Sequence, residues 1–247
     1  MKNTQIISVI NQKGGVGKTT TVINLATALS MNNKKVLVID LDPQGNATTG
    51  FGISNNDDTK TIYDVLNGNA NFEDTIKDTK IDNLQLVSSN VDLSGLEVET
   101  ANESRKAFLL KDKIENFINS TKNDFSYIFI DCPPSLSLLT IMSLVVAKSL
   151  IVPLQAEFFA LEGLSQLMQT IDRVKNKLNP TLEIRGVLLT MFDKRNKLSA
   201  QVEADAREFF KDKVYQTVIP RNVRLSEAPS HGVPILIYDK LCAGSKS

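Results

Sequence analysis

The chain has 247 residues, and its 28 Lys and Arg balance 28 Asp and Glu, so nucleic-acid binding would need a local basic patch or two paired chains. The content of 42% hydrophobic and 23% charged residues argues against wholesale disorder, and no apolar run approaches the ~20 residues of a membrane-spanning helix. Two distant cysteines, Cys132 and Cys242, exclude a disulfide framework or a four-cysteine zinc site and favour a reducing cytosol.

Seven short apolar segments predict β-strands. Those at residues 36–39, 127–130 and 150–152 have almost no polar alternation. Strands buried on both faces have this composition, so they indicate a parallel sheet covered by helices. The predicted strands are residues 5–10, 36–40, 84–88, 127–131, 150–153, 184–191 and 214–219.

Longer amphipathic segments alternate with these strands. In the first of them, Val22, Leu25, Ala26 and Leu29 recur at the spacing of one helical face. The predicted helices are residues 19–30, 104–119, 135–146, 161–178 and 198–210. This alternation predicts an α/β fold, a doubly wound, mostly parallel sheet with helices on both faces, in one domain over residues 1–247. The polar segment 52–82 is predicted to be an exposed excursion with a short helix around residues 63–66.

A glycine-rich loop follows the first predicted strand. Residues 13–20 read KGGVGKTT, and glycines let successive backbone N–H groups turn toward phosphate oxygens. In such a loop Lys18 reaches the β- and γ-phosphates and the Thr19 hydroxyl suits Mg²⁺. The strand–loop–helix context favours this interpretation over a glycine turn without function. The predicted phosphate-binding residues are Lys13, Gly14, Gly15, Val16, Gly17, Lys18, Thr19 and Thr20.

The loop departs from the general pattern G-x-x-x-x-G-K-[ST] at its first position. Gln12 stands where the first glycine belongs, and an additional lysine, Lys13, follows it. Beside Lys18, this second lysine has little room at the phosphates of its own chain. Lys13 is therefore predicted to reach a nucleotide that a second copy of the chain binds.

Two further predicted strands end in carboxylates. Asp40 and Asp42 end the second strand, and Asp131 ends the fourth. The carboxyl ends of parallel strands meet at one edge of a sheet, so these acids are predicted to organise an attacking water and Mg²⁺ beside the phosphate loop. For Asp40 and Asp42 the alternative is a pair of solvated acids in a turn. Cys132 is interpreted as a small buried residue rather than a nucleophile, because no histidine lies nearby in sequence.

The loop with Lys13 resembles the deviant P-loop of the ParA/MinD class of ATPases. With both carboxylate motifs in this order and spacing, the chain is similar to the small, Soj-like branch of the ParA family. Later segments extend the likeness to residues 5–239: QAEFFALEGL at 155–164, GVLLTM at 186–191 and VIPRNVRLSEAPSHG at 218–232.

The resemblance implies an ATPase that uses ATP and Mg²⁺, forms a homodimer around ATP, and binds double-stranded DNA without sequence preference. Such a protein would segregate chromosomes or plasmids in the cytoplasm, on the nucleoid, with a ParB-like partner that stimulates slow hydrolysis. By resemblance, Lys13 contacts the partner's nucleotide, Lys18 binds phosphate, and Asp42 positions the hydrolytic water with Asp40 in support. The implied metal residues are Thr19, Asp42 and Asp131. The implied further ATP contacts, around the adenine, are Met191, Asp193, Pro220, Arg221 and Asn222.

Arg195 and Arg224 resemble the DNA-contacting arginines of the family. Residues 185–224 contain nine basic and five acidic side chains, an excess that a solvated surface of mixed charge also has. The resemblance, rather than the charge, favours DNA contact here. Docking two copies would double the phosphate contacts, so that ATP-driven dimerisation would switch DNA binding on. His231 is predicted to be a loop residue without a catalytic role.

Other functions stay open at this point. A MinD-like, membrane-cycling cell-division ATPase depends on a C-terminal amphipathic helix, whereas residues 240–247 lack helical periodicity and are predicted to be frayed. Stable membrane binding is therefore not expected. A P-loop enzyme that transfers phosphate to a small molecule would need an acceptor pocket, which no motif indicates. A regulatory binder that uses hydrolysis only as a timer overlaps with the partitioning function.

Overall fold

One seven-stranded sheet organises the part of the chain that the structure describes. In the computed structural model this part is residues 4–56, 58–120, 124–157 and 160–247. The strand order is β3-β4-β2-β5-β1-β6-β7, and every pairing is parallel except that of the edge strand β3 with β4. The strands are β1 (Gln5–Val9), β2 (Val36–Asp40), β3 (Ile76–Asp78), β4 (Leu84–Val87), β5 (Tyr127–Asp131), β6 (Ser149–Gln155) and β7 (Glu183–Thr190).

Helices connect these strands and cover the sheet. The longer ones are α1 (Lys18–Met31), α5 (Leu109–Ser120), α6 (Leu138–Val146), α7 (Ala160–Lys177) and α8 (Lys197–Phe210). The short ones are α2 (Asn46–Gly50), α3 (Ile62–Leu66), α4 (Leu96–Glu99), α9 (Val223–Glu227), α10 (Ile235–Tyr238) and α11 (Ala243–Lys246). Short 3-10 helices lie at Glu73–Thr75, Val91–Gly95, Lys106–Phe108, Lys211–Lys213 and Ala228–His231. Within the described residues, none of the helices has the length and apolar character to span a bilayer.

Strand β2 shows that both faces of the sheet are covered. Val36 and Val38 pack into a smaller core with Val22 of α1, while Leu37 and Ile39 pack into a larger core on the other face. All five side chains are fully buried, and each such burial contributes about 1.5–3 kcal/mol. The predicted α/β fold, a doubly wound, mostly parallel sheet with helices on both faces, is confirmed.

Residues 214–219 do not form the predicted strand, so this prediction is wrong. The Tyr215 N–H donates to the Val187 carbonyl, and the Ile219 N–H donates to the Leu189 carbonyl, at 3.0 and 2.8 Å. Four residues of this segment therefore span only two residues of β7, and the segment loops out between the two hydrogen bonds. A strand requires the same spacing on both chains. The seventh strand of the sheet is instead β3, which lies within segment 52–82 and was not predicted because this segment is polar.

The rest of segment 52–82 and the tail also bear on the predictions. The short predicted helix is confirmed as α3, where Thr61 and Asp64 form a capping box. Residues 240–247, which were predicted to be frayed, instead end in the helical turn α11. Just before α11, Asp239 Oδ1 accepts the N–H groups of Leu241 and Cys242 at 3.1 Å each and so orders the residues that lead into this helical turn.

A close backbone contact joins Gly52 to Gly232. Their φ angles are 70° and 62°, in the left-handed region that favours glycine. A Cβ atom at Gly52 would lie 2.7 Å from the carbonyl oxygen of Gly232. The contact holds the segment after α2 against the turn that follows Ala228–His231.

We expect Gly52→Ala to lower the free energy of unfolding by about 3 kcal/mol, because the added Cβ strains φ and also pushes two backbones apart. Gly68→Ala is the matched control, since Gly68 has φ 85° but open space around an added Cβ. Its expected loss is about 1 kcal/mol. Urea unfolding measures both variants, and equal losses would contradict the importance of the contact.

Candidate active site

The loop between β1 and α1 has the backbone geometry of a phosphate site. Gly15 and Gly17 have φ angles of 74° and 90°. Gly17 directly precedes α1 and carries no side chain to cap it. The first N–H groups of a helix need external acceptors, and anions bind there. The predicted phosphate-binding residues 13–20 all lie in this loop or in the first turn of α1.

Neighbouring strands hold the phosphate loop in place. The Thr190 hydroxyl, at the end of β7, donates to the Val16 carbonyl at 2.8 Å. The Asn11 amide donates to the Pro153 carbonyl of β6 at 2.8 Å, and its oxygen accepts the Lys13 N–H at 3.0 Å. Asn11 and Thr190 were not predicted. Polar residues at the ends of apolar strands are too common to single them out in a sequence.

Lys18 is buried at the centre of the site. It is 6% exposed, and its Nζ donates to the Lys13 carbonyl at 3.0 Å. Burial lowers the pKa of Lys18, while the negative charges of Asp131 and Asp42 act in the opposite direction. The structure therefore brings the phosphate loop and both carboxylate motifs to one edge of the sheet.

Asp40 and Asp131 are direct neighbours at the ends of β2 and β5, and both are fully buried. Both oxygens of Asp40 accept hydrogen bonds. Oδ1 accepts the Asp42 N–H at 3.2 Å, and Oδ2 accepts the N–H and the hydroxyl of Thr48 at 2.8 and 2.7 Å. Burial raises the pKa of Asp40 to about 6 in spite of these hydrogen bonds. Asp40 is therefore a structural carboxylate, not an acid of a solvated turn.

The carboxylate of Asp131 is buried like that of Asp40 but differs from it in its hydrogen bonds. Both of its oxygens are buried, and neither makes a hydrogen bond of full geometry with a described residue, although the Thr19 hydroxyl is close enough to act on the carboxylate. Burial and the adjacent Asp40 raise its pKa well above the usual range, although the nearby Thr19 hydroxyl and Lys18 lower it. A buried, unpartnered carboxylate is costly unless a cation meets it.

This arrangement fits Mg²⁺. Among the described residues, no three His, Cys, Asp or Glu side chains form a metal cage. A Mg²⁺ ion beside phosphates does not need one, because it keeps several waters and takes one or two protein ligands in addition to phosphate oxygens. Thr19 and Asp131 supply a hydroxyl and a free carboxylate for such a site.

Asp42 lies in the turn between β2 and α2. It is 6% exposed, and its Oδ1 accepts the Gln44 N–H at 3.0 Å. Among the described residues nothing donates to Oδ2, so this oxygen is open to a water molecule or to the water shell of a metal. The two predicted roles of Asp42, positioning the hydrolytic water and binding the metal, both need such an oxygen.

The Lys13 side chain is paired with a residue outside its own loop. Its ammonium forms an ion pair with Glu157, just beyond β6, and both side chains are partly exposed. Gln12, at the position of the missing glycine, donates to the Gly163 carbonyl of α7 at 2.8 Å. In the sequence Glu157 is distinguished only as part of segment 155–164, of which residues 158 and 159 lie outside the described residues. Its pairing with Lys13 required the tertiary structure.

The predicted adenine contacts lie in two adjoining segments beyond β7. The Phe192 N–H donates to the Ile219 carbonyl, and the Phe192 carbonyl accepts the Arg221 N–H, both at 3.0 Å. Thr190 lies between these segments and the phosphate loop. The residues that the structure brings together here are Met191, Asp193, Pro220, Arg221 and Asn222.

Arg195 and Arg224 lie on different elements, and each is paired with an acid. Arg195, before α8, donates to Asp193 at 3.0 and 2.9 Å, and these bonds lower the pKa of Asp193 to about 2. Arg224, in α9, donates to Glu227 at 2.8 Å. Both guanidinium groups reach solvent, so both are accessible to an anionic partner.

Two other predicted residues lie outside this chemistry. His231 ends a 3-10 helix and stacks on Tyr238, with ring centroids 4.9 Å apart. Cys132 is buried, and its thiol donates to the Ser143 hydroxyl at 3.1 Å. Burial raises the pKa of Cys132 to about 12, so the group is a thiol, whereas the nucleophilic form is the thiolate.

Comparisons with known proteins identify the family of this chain. A family model described as an AAA domain matches residues 4–184. The chromosome partitioning protein ParA of Caulobacter vibrioides is 52% identical over 98% of this chain and 90% of its own length. The sporulation initiation inhibitor protein Soj of Bacillus subtilis is 49% identical over 98% of this chain and 94% of its own length. The chain belongs to the ParA/Soj family of chromosome-partitioning ATPases.

Solved structures similar to this ParA/Soj-family chain carry nucleotides. Cobyrinic acid a,c-diamide synthase from Mycobacterium smegmatis, with a bound ATP analogue and magnesium, has a TM-score of 0.82 and 35% identity over 89% of this chain and 86% of its own. The septum site-determining protein MinD from Pyrococcus horikoshii, complexed with Mg-ADP, has a TM-score of 0.78 and 27% identity, and the match covers 98% of this chain and 92% of its own length. The P-loop fold of this chain is thus shared with nucleotide-binding proteins.

The adjacent carboxylates predict how the stability of the nucleotide-free protein depends on pH. The pKa of Asp40 is about 6 against a usual value of 3.8, and that of Asp131 is also raised. The folded state then holds protons that the unfolded chain releases, so the free energy of unfolding should fall as the pH rises from about 4 through about 6.

Asp131→Asn removes one of these buried charges. We expect it to raise the melting temperature at about pH 7 by several degrees and to flatten the dependence on pH. Asp58→Asn, at an exposed carboxylate, is the control and should change neither. Thermal unfolding from about pH 4 to about pH 8 gives both quantities. An Asp131→Asn variant that melts below the wild type at neutral pH would contradict this account.

Proposed function

We propose that this chain is an ATP-switched DNA-segregation ATPase built as one P-loop domain. In this proposal it binds ATP and Mg²⁺, dimerises around ATP, binds double-stranded DNA without sequence preference, and hydrolyses ATP slowly until a ParB-like partner stimulates it. The observation that carries the proposal is the buried Asp131 carboxylate, which makes no hydrogen bond of full geometry with a described residue, beside buried Lys18 at the phosphate loop. A divalent cation bound to a polyphosphate meets both charges at once.

Each side chain of the site has a role in this proposal. Residues 13–20 bind the phosphates through backbone N–H groups and through Lys18. Thr19 and Asp131 would hold Mg²⁺, which supplies positive charge to the phosphate oxygens. Asp42 orients the attacking water through Oδ2, because Oδ1 is fixed by the Gln44 N–H. The adenine is expected to lie against Met191, Asp193, Pro220, Arg221 and Asn222.

The environment of the Lys13 side chain supports the proposed dimer. Its ammonium is partly exposed and bound to Glu157 rather than to its own loop, so it is free to exchange this carboxylate for a phosphate on a second chain. A cation supplied by a partner subunit stabilises the charge that develops during phosphoryl transfer. The triphosphate then bridges two subunits, and its cleavage removes the bridge.

Accessible Arg195 and Arg224 support DNA binding and, through it, association with the nucleoid in the cytoplasm. A single chain of zero net charge has few phosphate contacts to offer. A dimer has twice as many, and linked contacts raise the affinity far more than two-fold. ATP would thereby control attachment to DNA, without stable membrane binding.

A second candidate is a small-molecule enzyme, which the 35% identity with a cobyrinic acid a,c-diamide synthase favours. The partitioning proteins are more similar, at 49% and 52% identity. A MinD-like function is supported by the 27% identity with MinD from Pyrococcus horikoshii. DNA binding separates the partitioning function from both alternatives, which predict none.

Asp42→Ala tests the ATP-bridged dimer. We expect this variant to bind ATP without cleaving it, so that ATP traps a dimer of twice 27.2 kDa, and this dimer should bind DNA. Size-exclusion chromatography with light scattering, with and without ATP and DNA, measures the assembly. Asp58→Ala is the control and should return to the monomer as ATP is consumed. A monomer in every state would reject the dimer.

The combined change of Arg195→Ala and Arg224→Ala tests the DNA surface. We expect a loss of DNA affinity of about ten-fold or more, since phosphate contacts dominate binding without sequence preference. ATP hydrolysis should persist. Arg105→Ala with Arg173→Ala removes the same charge from other exposed positions and should have a much smaller effect. Fluorescence anisotropy with ATP and two unrelated duplexes measures the affinity. Equal affinities of the two double variants would contradict the assignment.

A further inference from the structure

A buried hydroxyl joins three elements at the carboxyl edge of the sheet. Thr48, in α2, is 3% exposed. Its hydroxyl donates to Asp40 Oδ2 at 2.7 Å and accepts the N–H of Ser89, just beyond β4, at 3.2 Å. Its own N–H donates to the same oxygen of Asp40 at 2.8 Å. Thr48 therefore connects the end of β2, the helix α2 and the end of β4.

The same Asp40 carboxylate also holds the backbone of Asp42. Asp40 Oδ1 accepts the Asp42 N–H at 3.2 Å. Both ends of the turn 42–48 are thus attached to one buried side chain. If the Asp40 carboxylate rotated, the Asp42 N–H would lose its acceptor and the Asp42 carboxylate would shift with its backbone.

Thr48 is the residue that sets the rotation of this carboxylate. The torsion about the Cβ–Cγ bond of an aspartate is broad, so only hydrogen-bond donors fix it. The bond from Asp42 is the longest of the three, and both shorter ones come from Thr48. The neighbouring Asp131, which no described residue holds in this way, shows that burial at the end of a strand does not by itself supply donors.

We propose that Thr48 is a positioning residue for ATP hydrolysis. Through Asp40 it holds the Asp42 carboxylate at the attacking water, and through Ser89 it ties this turn to β4. The proposal rests on the proposed role of Asp42. A displacement of about 1 Å at a group that orients a reactant costs on the order of 100-fold in rate. ATP binding, by contrast, depends on the phosphate loop and should be preserved.

Thr48→Val keeps the shape of the side chain and removes the hydroxyl. We expect kcat for ATP hydrolysis to fall by about 10- to 100-fold, while KM stays within about two-fold. Thr48→Ser restores the hydroxyl and should restore kcat. The control is Thr49→Val, at an exposed threonine of the same helix, which should hydrolyse ATP like the wild type.

A second measurement does not depend on activity. In the nucleotide-free protein, amide hydrogen exchange in a peptide that covers residues 41–50 should accelerate in Thr48→Val, because the Asp42 and Thr48 N–H groups lose a fixed acceptor. Thr48→Ser and Thr49→Val should exchange like the wild type. The affinity for a fluorescent, non-hydrolysable ATP analogue should be equal in all four proteins.

The outcomes separate this inference from the proposed function. Full hydrolysis by Asp42→Ala would overturn the role of Asp42 itself. If Asp42→Ala is inactive but Thr48→Val keeps its kcat or its exchange rate, only the positioning role is overturned. An equal loss of kcat and of analogue affinity, or no restoration by Thr48→Ser, would show a merely structural role and also overturn it. If Thr48→Val does not fold, Thr48→Ala replaces it in the same measurements.

Discussion

Two carboxyl groups that are buried side by side constrain the chemistry of this protein. Asp40 and Asp131 are register partners at the ends of β2 and β5, where solvent contributes nothing to either charge. Hydrogen bonds from Asp42 and Thr48 satisfy Asp40, whereas Asp131 makes none of full geometry with the described residues. One carboxylate therefore stabilises the turn that carries Asp42, and the other is left for a cation. Ligand binding and folding stability are coupled through this second group.

The parallel sheet explains how distant motifs reach this pair. In a doubly wound sheet the carboxyl ends of the strands share one edge, so the loop after β1 and the acids after β2 and β5 meet without a special device. Bonds from β6 and β7 to Asn11 and Val16 then fix the phosphate loop against the same edge. Lys13 is partly exposed and pairs with Glu157, which is compatible with the proposed contact across a dimer.

The segment after α2, a few residues beyond the turn that carries Asp42, is packed against a distant part of the chain. Gly52, which follows α2, is in backbone contact with Gly232, and Gly232 follows the 3-10 helix that continues from α9. Arg224 lies in α9, so a short run of packed backbone separates the proposed water-holding turn from a proposed DNA contact. Packed backbones do not deform freely, so this proximity supports the proposed control of DNA binding by ATP.

Residue patterns alone predict the strand–loop–helix around KGGVGKTT, the acids that end two buried strands, and the α/β class. These features are local patterns of residue type and spacing, and local geometry is enough to produce them. Packing between distant segments, in contrast, leaves Asp40 hydrogen-bonded to Thr48 and Asp131 without such donors, and it pairs Lys13 with Glu157. The same packing prevents residues 214–219, despite their apolar pattern, from pairing residue by residue with β7. Each of these outcomes depends on distances between segments that are far apart in the chain. Local composition does not encode such distances.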